Sequence, residues 1–209
     1  MTGESRPGPT AMALQDAVAA LQAGAVVAIP TDTVYGLAVD PSCPGSTETL
    51  FAVKGRPAGL DLPVLVGSRA QADALSAGGA LPPTAARLAE IFWPGALTLV
   101  VPRRHGLDWA LGDHADTIGL RCPDHEVARR LCTAVGPLAT TSANPHGAPP
   151  YTEARAVARA FAGRVAVIVD GGRCARPPST VVAVDAAGLR CLREGALSFA
   201  DVVAAAAAG

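Results

Sequence analysis

Short apolar runs alternate with amphipathic segments along most of the chain. The runs lie mostly beside Pro, Gly or Asp, which is typical of strands that are buried on both faces. They predict strands over residues 25–29, 34–39, 63–66, 96–101, 117–121, 138–141, 166–169, 179–184 and 189–192. The segments between them carry apolar residues at helical spacing. They predict helices over residues 13–23, 46–53, 69–77, 85–92, 126–134, 154–162 and 198–208.

This order of elements predicts one α/β domain. Strands that alternate with helices favour parallel pairing, whereas the turn at Gly188 joins the last two strands as a hairpin. We therefore expect a single-domain twisted mixed sheet flanked by helices over residues 13–209. Residues 1–12 are mostly polar and rich in Pro and Gly, so they are expected to form a disordered leader.

Composition narrows the class of protein. At 209 residues and 50% hydrophobic content, the chain is long enough for one well-buried core. Its formal net charge of -1 gives no reason to expect nucleic acid to be held by bulk charge. The five cysteines lie without a CxxC pair, which favours buried free thiols over zinc or disulfides. Neither a signal peptide nor a membrane span is recognisable, so a cytoplasmic protein is expected.

Small polar and cationic residues follow the ends of the predicted strands. They are Thr31, Thr33, Lys54, Arg56, Thr117, Arg121, Ser142, Asn144, Ser179 and Arg193. If these strand ends converge, they form a concave anion-binding cavity. Lys54 is the only lysine of the chain, and its compact ammonium differs from the planar fork that Arg56 supplies. A point charge beside a bidentate donor suits a polyphosphate or phosphate–carboxylate ligand.

Several motifs are absent or have simpler interpretations. The chain has neither a Walker motif nor a GxGxxG turn, so any nucleotide would be held by side chains. The histidines lack metal-ligand spacing and are interpreted as solvated or capping residues, and no metal site is predicted: His105, His114, His125 and His146. Ser179 could instead simply start a strand, and Thr117 could be a strand residue whose hydroxyl bonds its own backbone. Asp32 is interpreted as a turn former, and the Trp93–Gly95 segment as a structural turn.

Seven blocks, taken together in this order, closely resemble the Sua5/YciO/YrdC family. The blocks are residues 30–37 (PTDTVYGL), 54–57 (KGRP), 92–98 (FWPGALT), 119–123 (GLRCP), 141–147 (TSANPHG), 179–182 (STVV) and 192–195 (LREG). The resemblance runs from about residue 13 to residue 197 and is to the short, YrdC-like form. It implies a YrdC-like fold and the activity of the family's established members, which make threonylcarbamoyl-AMP and pyrophosphate from L-threonine, bicarbonate and ATP for the t6A37 modification of tRNA.

The resemblance also implies roles for particular residues. It implies ATP contacts from Lys54, Arg56, Thr117, Ser142, Asn144, Pro150 and Arg193, with Lys54, Arg56, Ser142 and Asn144 as the catalytic set. It implies threonine contacts from Thr33, Arg121, Thr140 and Ser179. Mg²⁺ is expected mainly on the phosphates of ATP. The product is expected to pass to the tRNA threonylcarbamoyl-transferase complex.

The chain departs from the family's pattern just after the KGRP block. Members usually have a polar or basic residue and then Pro-Leu, whereas this chain has Leu60-Asp61-Leu62. Leu65 stands where some members have histidine, and Pro178 where many have Glu. Two alternatives stay open: a double-stranded RNA-binding module, including weak RNA binding by the enzyme, and a carbamoyl-transfer relative that uses carbamoyl phosphate.

Overall fold

The computed structural model describes residues 11–55, 57, 59–174 and 176–208. The helices of this part of the chain are α1 Ala11–Gln22, α2 Ser46–Lys54, α3 Arg69–Leu75, α4 Pro83–Phe92, α5 Glu126–Ala134, α6 Ala154–Ala160 and α7 Phe199–Ala207. The strands are β1 Val27–Ile29, β2 Gly36–Val39, β3 Val64–Leu65, β4 Leu97–Pro102, β5 Thr117–Arg121, β6 Leu138–Ser142, β7 Val167–Ile168, β8 Thr180–Asp185 and β9 Gly188–Arg193. A 3-10 turn, Ala77–Gly79, follows α3.

All the strands belong to one nine-stranded sheet in the order β7-β1-β2-β6-β3-β5-β4-β8-β9. Three neighbouring pairs are parallel, namely β1 with β7, β3 with β5 and β4 with β8, and the others are antiparallel. The last pair is the predicted hairpin, in which Asp185 pairs with Gly188. The mixed α/β sheet flanked by helices is therefore confirmed.

Helices cover the two faces of the sheet unequally. Alternate strand residues point to opposite faces, and the two hydrophobic clusters follow that rule: Ala28 belongs to one cluster, whereas Val27 and Ile29 belong to the other. The first cluster includes residues of α2, α3, α4, α6 and α7, and it continues across β4, β5 and β8. The second cluster contains only α1 and α5 as helices, and its strand residues come from β1, β2, β3 and β6.

Part of the second face is consequently left without a helix. On β4, for example, Leu97, Leu99 and Val101 enter the first cluster, while Thr98 and Val100 point the other way and line open cavities. The same alternation brings Thr140 of β6 and Arg121 of β5 to this second face. The uncovered strip over β3, β4, β5, β6 and β8 is the concave surface on which the candidate site lies.

Every predicted helix and strand is found within a few residues of its predicted bounds. Helix α1 begins at Ala11, two residues before its predicted start, and the rest of the predicted leader, residues 1–10, lies outside the described residues. The segment 103–116 is a loop, as predicted, but its first residue is not exposed. Arg103 is buried and donates hydrogen bonds to the carbonyls of Leu107 and Trp109, which hold the loop over it. No helix in the described part of the chain is long and apolar enough to cross a bilayer.

Candidate active site

Two joined cavities lie on the uncovered strip of the sheet. The first, of about 190 Å³, is lined by Thr31, Thr33, Val34, Tyr35, Gly36, Pro63, Leu65, Thr98, Arg121, Thr140, Thr141, Ser142, Pro150, Pro178, Ser179 and Arg193. The second, of about 240 Å³, is lined by Asp61, Leu62, Pro63, Thr98, Val100, Leu111, His114, Thr117, Ile118, Gly119, Ser179, Val181, Leu192 and Arg193. Each alone is smaller than the roughly 300 Å³ at which small-molecule pockets usually begin. Because they share a wall of four residues, two reactants can occupy them side by side.

Arg121 is the buried cation of the first cavity. It ends β5, and only 6% of the residue is exposed. Its Nε donates to the carbonyl of Gly95 at 2.9 Å, its Nη1 donates to Thr33 Oγ1 at 3.0 Å, and its Nη2 donates to Asp32 Oδ1 at 2.6 Å. A guanidinium has five N–H donors, so these three contacts fix the side chain and leave two donors for a ligand. Such a fork suits a carboxylate.

Asp32 has a larger role than that of a turn former. Its carboxylate is buried against Arg121, and the same oxygen accepts a hydrogen bond from the backbone N–H of Asp124 at 3.1 Å. Burial lowers the pKa of Arg121, and the neighbouring Asp32 carboxylate offsets part of that effect. Asp32 does not line either cavity, which places it behind the arginine as its counter-ion.

Several hydroxyl groups line the first cavity with Arg121, among them those of Thr31, Thr33 and Thr140. Thr33 and Thr140 are buried, with 1% and 5% exposed. Thr33 Oγ1 lies 3.0 Å from Thr31 Oγ1, and Thr140 Oγ1 donates to the carbonyl of Pro63 at 3.2 Å. Because the loop from Thr31 to Thr33 meets the ends of β5 and β6 here, the cavity combines a cation with small polar groups, as an amino acid ligand requires.

Thr98, Ser179 and Arg193 form a hydrogen-bonded wall between the two cavities. Ser179 Oγ lies 2.9 Å from Thr98 Oγ1 and accepts a hydrogen bond from Arg193 Nη2 at 3.1 Å. Arg193 Nη2 also donates to the carbonyl of Ser179 at 2.8 Å. The side chain of Arg193 stands at the exposed end of β9, so its remaining donors are open to an anion that crosses the wall.

Lys54 is the centre of a hydrogen-bonded cluster beside the first cavity. It is the last residue of α2 and is 4% exposed. Its Nζ donates to the carbonyl of Ser142 at 2.5 Å, to Ser142 Oγ at 3.2 Å and to Asn144 Oδ1 at 2.7 Å. Asn144 Nδ2 in turn donates to the carbonyls of Pro145 and Ala148. The ammonium thus fixes the turn after β6 and places a positive charge directly behind Ser142.

The segment that departs from the family's pattern forms one edge of the second cavity. Asp61 Oδ2 lies 2.7 Å from His114 Nδ1, and Asp61 Oδ1 accepts a hydrogen bond from the backbone N–H of His114 at 3.2 Å. The N–H of Leu62 donates to the carbonyl of Leu111 at 2.6 Å. These contacts tie the two loops together. Leu65 lines the first cavity and gives it an apolar wall at that point.

The predicted site residues fall into four groups. Seven line the first cavity: Thr33, Arg121, Thr140, Ser142, Pro150, Ser179 and Arg193. Thr117 is exposed and lines the second cavity instead. Lys54 and Asn144 are not among the described residues that line the two cavities, because both lie behind Ser142. Arg56 lies outside the described residues.

Other groups were missed or misread from the sequence. Thr98 lines both cavities. It could have been recognised from the sequence as a polar residue within an otherwise apolar strand. His125 precedes α5 but does not cap it: its side chain makes no cap bond, and its buried Nδ1 has no hydrogen-bond partner in the described part of the chain. Burial lowers the pKa of His125, against the effect of nearby Asp32.

All five cysteines are free, and Cys122, Cys132 and Cys174 are buried.

The site lacks the donor set of a resident metal. No group of three or more His, Cys, Asp or Glu side chains within the described ranges could hold a metal ion. The first cavity is lined by hydroxyls and by the guanidinium groups of Arg121 and Arg193, which suit an anion better than a cation. Asp61 and His114 line the second cavity and contact each other there. The arrangement can therefore bind a carboxylate at Arg121 beside a second anionic group near Ser142 and Arg193.

An α/β sheet with a cation-lined cleft on its open face defines a domain that binds small anionic molecules. This chain belongs to the Sua5/YciO/YrdC family, because the sequence model of that family, described as "Telomere recombination", matches residues 19–195. That match extends over most of the domain and includes both cavities.

Relatives and solved structures agree with this assignment. A protein of Mycobacterium tuberculosis with the provisional name of threonylcarbamoyl-AMP synthase is 39% identical over 193 residues, which cover 92% of this chain and 88% of the relative. The threonylcarbamoyl-AMP synthase of Pseudomonas fluorescens is 36% identical over 159 residues, 76% of this chain and 84% of the relative. The structure of P. abyssi Sua5 complexed with L-threonine has a TM-score of 0.86 and 34% identity. It matches 92% of this chain, which spans only 56% of that protein.

Proposed function

We propose that the protein is an L-threonylcarbamoyl-AMP synthase. In this reaction the amino group of L-threonine attacks the carbon of bicarbonate, water leaves, and the resulting carbamate oxygen attacks the α-phosphate of ATP. The P–O bond to the β-phosphate breaks and pyrophosphate departs, leaving threonylcarbamoyl-AMP. The observation that carries the proposal is the shared wall of Thr98, Ser179 and Arg193, which sets a carboxylate-binding cavity beside a second, anion-accessible one.

Threonine would occupy the first cavity. Its carboxylate would take the two remaining N–H donors of Arg121, and its polar groups would meet Thr33, Thr140 and Ser179. Two observations support this: the buried guanidinium is already held by Asp32 and Thr33, and a relative of the same fold, P. abyssi Sua5, has been solved with L-threonine. Hydroxyl partners would also reject valine, because a polar group would be left unpaired.

ATP would extend along the wall, from Ser142 and Pro150 at the first cavity to Thr117 at the second. Its phosphates would meet Arg193, Ser142 and the charge of Lys54, while Thr117 and Pro150 would contact the nucleotide from the two sides. Fixed cations stabilise the charge that develops on departing pyrophosphate. Arg56 keeps its predicted role in this set. Mg²⁺ would enter with ATP as the counter-ion of its phosphates, and bicarbonate would be the third substrate.

The chemistry favours a site that limits contact with water, because a carbamate of an amino acid is short-lived in water. The product would be handed to the tRNA threonylcarbamoyl-transferase complex in the cytoplasm. The same surface could bind RNA weakly, and such binding should weaken steeply with rising salt.

The proposal is tested by measuring pyrophosphate release from ATP and bicarbonate across a panel of amino acids. We expect release with L-threonine at least 100-fold above the rate with L-valine, since the site hydroxyls lose their partner with valine. A parallel reaction with carbamoyl phosphate in place of bicarbonate and threonine should give no product. Pyrophosphate release that is independent of the amino acid, or turnover of carbamoyl phosphate, would remove the proposal.

A further inference from the structure

The direction of the hydrogen bonds around Arg121 follows from the count of hydroxyl protons. Thr31 Oγ1 donates its only proton to the carbonyl of Val34 at 2.7 Å, and a carbonyl oxygen can only accept. Thr31 and Thr33 nevertheless have their hydroxyl oxygens 3.0 Å apart, in a buried position. That distance is within hydrogen-bond range, and because the Thr31 proton is directed at Val34, we assign Thr33 as the donor of this hydrogen bond.

Thr33 then has only a lone pair left for a ligand. Its proton is directed at Thr31, and one of its two lone pairs accepts the N–H of Arg121 at 3.0 Å. Thr31 is held in place in turn, because its oxygen also accepts the backbone N–H groups of Thr33 and Val34 at 3.2 Å each. A hydroxyl oxygen has two lone pairs, so these two long contacts share one of them and the other accepts the proton of Thr33. The loop therefore fixes the polarity of a hydroxyl that would otherwise rotate freely.

Thr140 has the same polarity for a different reason. Its hydroxyl donates to the carbonyl of Pro63 at 3.2 Å, which leaves its lone pairs free. The first cavity therefore presents two acceptor hydroxyls, Thr33 and Thr140, next to the donors of Arg121. A phosphate at Arg121 would be repelled by these lone pairs. An amino acid zwitterion suits both the donors and the acceptors, because its carboxylate contacts the guanidinium and its adjacent amino N–H groups donate to the hydroxyl oxygens.

We propose that Thr31 is a positioning residue that turns the proton of Thr33 away from the cavity, so that Thr33, beside Arg121, recognises the amino N–H of an α-amino acid. This inference rests on the proposed function and adds to it which protein groups recognise the amino group of the substrate. In the reaction the ammonium first loses one proton to water. Acceptors that hold the two remaining N–H groups then leave the nitrogen lone pair directed toward the carbon that it attacks.

A double-mutant cycle on L-threonine binding tests this role. The variants are Thr31→Val, Thr33→Val and the double variant, with Thr31→Ser as the control that keeps the hydroxyl, and the dissociation constants are measured by calorimetry. We expect Thr31→Val to weaken binding about 10-fold, Thr33→Val to weaken it at least as much, and the double variant to match Thr33→Val within twofold. Thr31→Ser should bind like the wild type.

A purely structural role for Thr31 gives a different result. If Thr31 only supported the turn to Val34, its replacement would weaken binding by the same factor with or without the Thr33 hydroxyl, and additive losses of that kind overturn the inference. Binding by Thr31→Val within twofold of the wild type also overturns it.

A second measurement uses the wild type alone, in case Thr31→Val does not fold. (R)-3-Hydroxybutanoate is threonine without its amino group, and it should compete at least 100-fold more weakly than L-threonine. Competition within threefold of threonine would contradict the inference. If the wild type binds another α-amino acid but not threonine, the proposed function falls and the cycle is run on that amino acid. If it binds no α-amino acid, the inference falls as well.

Discussion

Replacing Arg121 by lysine is expected to lower kcat/KM for L-threonine about 100-fold, mainly through a higher KM. An ammonium cannot reproduce the two parallel donors that a guanidinium offers a carboxylate. It also cannot bond Gly95, Thr33 and Asp32 at once, as Arg121 does. Lysine keeps the positive charge beside Asp32, which avoids the ~3–5 kcal/mol cost of leaving a buried partner uncompensated.

The measurement is the steady-state rate of pyrophosphate release as threonine and ATP are varied separately. The KM for ATP should change less than threefold, because the proposed contacts of the nucleotide do not include Arg121. Arg159→Lys is the matched control: Arg159 is an exposed residue of α6, and its variant should behave like the wild type. An unchanged threonine KM in Arg121→Lys would show that the carboxylate is bound elsewhere.

Replacing Lys54 by methionine is expected to lower kcat by a factor of 100 or more while threonine binding stays within a few-fold of the wild type. Methionine keeps much of the length of the side chain but removes the charge and the donors to Ser142 and Asn144. Loss of one preorganised donor at a developing charge typically costs about 100- to 1000-fold in rate. The variant should also unfold at a lower temperature, since oxygens that had accepted from the ammonium are left unsatisfied.

Two comparisons separate chemistry from stability in the Lys54 variants. Lys54→Arg keeps the charge but not the compact shape, so its kcat should fall between those of Lys54→Met and the wild type. Threonine binding by Lys54→Met, measured by calorimetry, reports whether the first cavity is still formed. If kcat is unchanged in a folded Lys54→Met protein, the cluster behind Ser142 is structural only.

The strands were predictable because each is a short apolar run that ends at a turn residue. The run from Ala25 to Ile29 is one example, since β1 spans Val27–Ile29 within it. The position of each strand in the sheet was not predictable in the same way. Strand β3 lies between β6 and β5, and nothing in the local sequence of Val64–Leu65 encodes those neighbours, because strand order depends on contacts between distant segments.

The candidate site likewise has features that the local sequence predicts and features that depend on contacts between distant segments. Cations and hydroxyls at strand ends, such as Arg121 and Thr33, could be recognised from residue type and position. Asp32 and Arg121, which form an ion pair, are 89 positions apart in the sequence. Because the residues next to Asp32 give no sign of this partner, the local sequence predicted only a turn former. His125 was misread for a related reason: it stands where a capping residue would, but packing of the ring near Gly171 decides its environment.

The most direct test is a mass measurement on the product of the complete reaction. The protein is incubated with ATP, L-threonine and ¹³C-labelled bicarbonate, and the nucleotide products are analysed by mass spectrometry. The proposed function predicts an adduct of AMP and threonine that contains one carbon from bicarbonate, so its mass rises by one unit with the label, and its amount equals the pyrophosphate released. An AMP–threonine adduct without the labelled carbon, or pyrophosphate released without any adenylate, would contradict it.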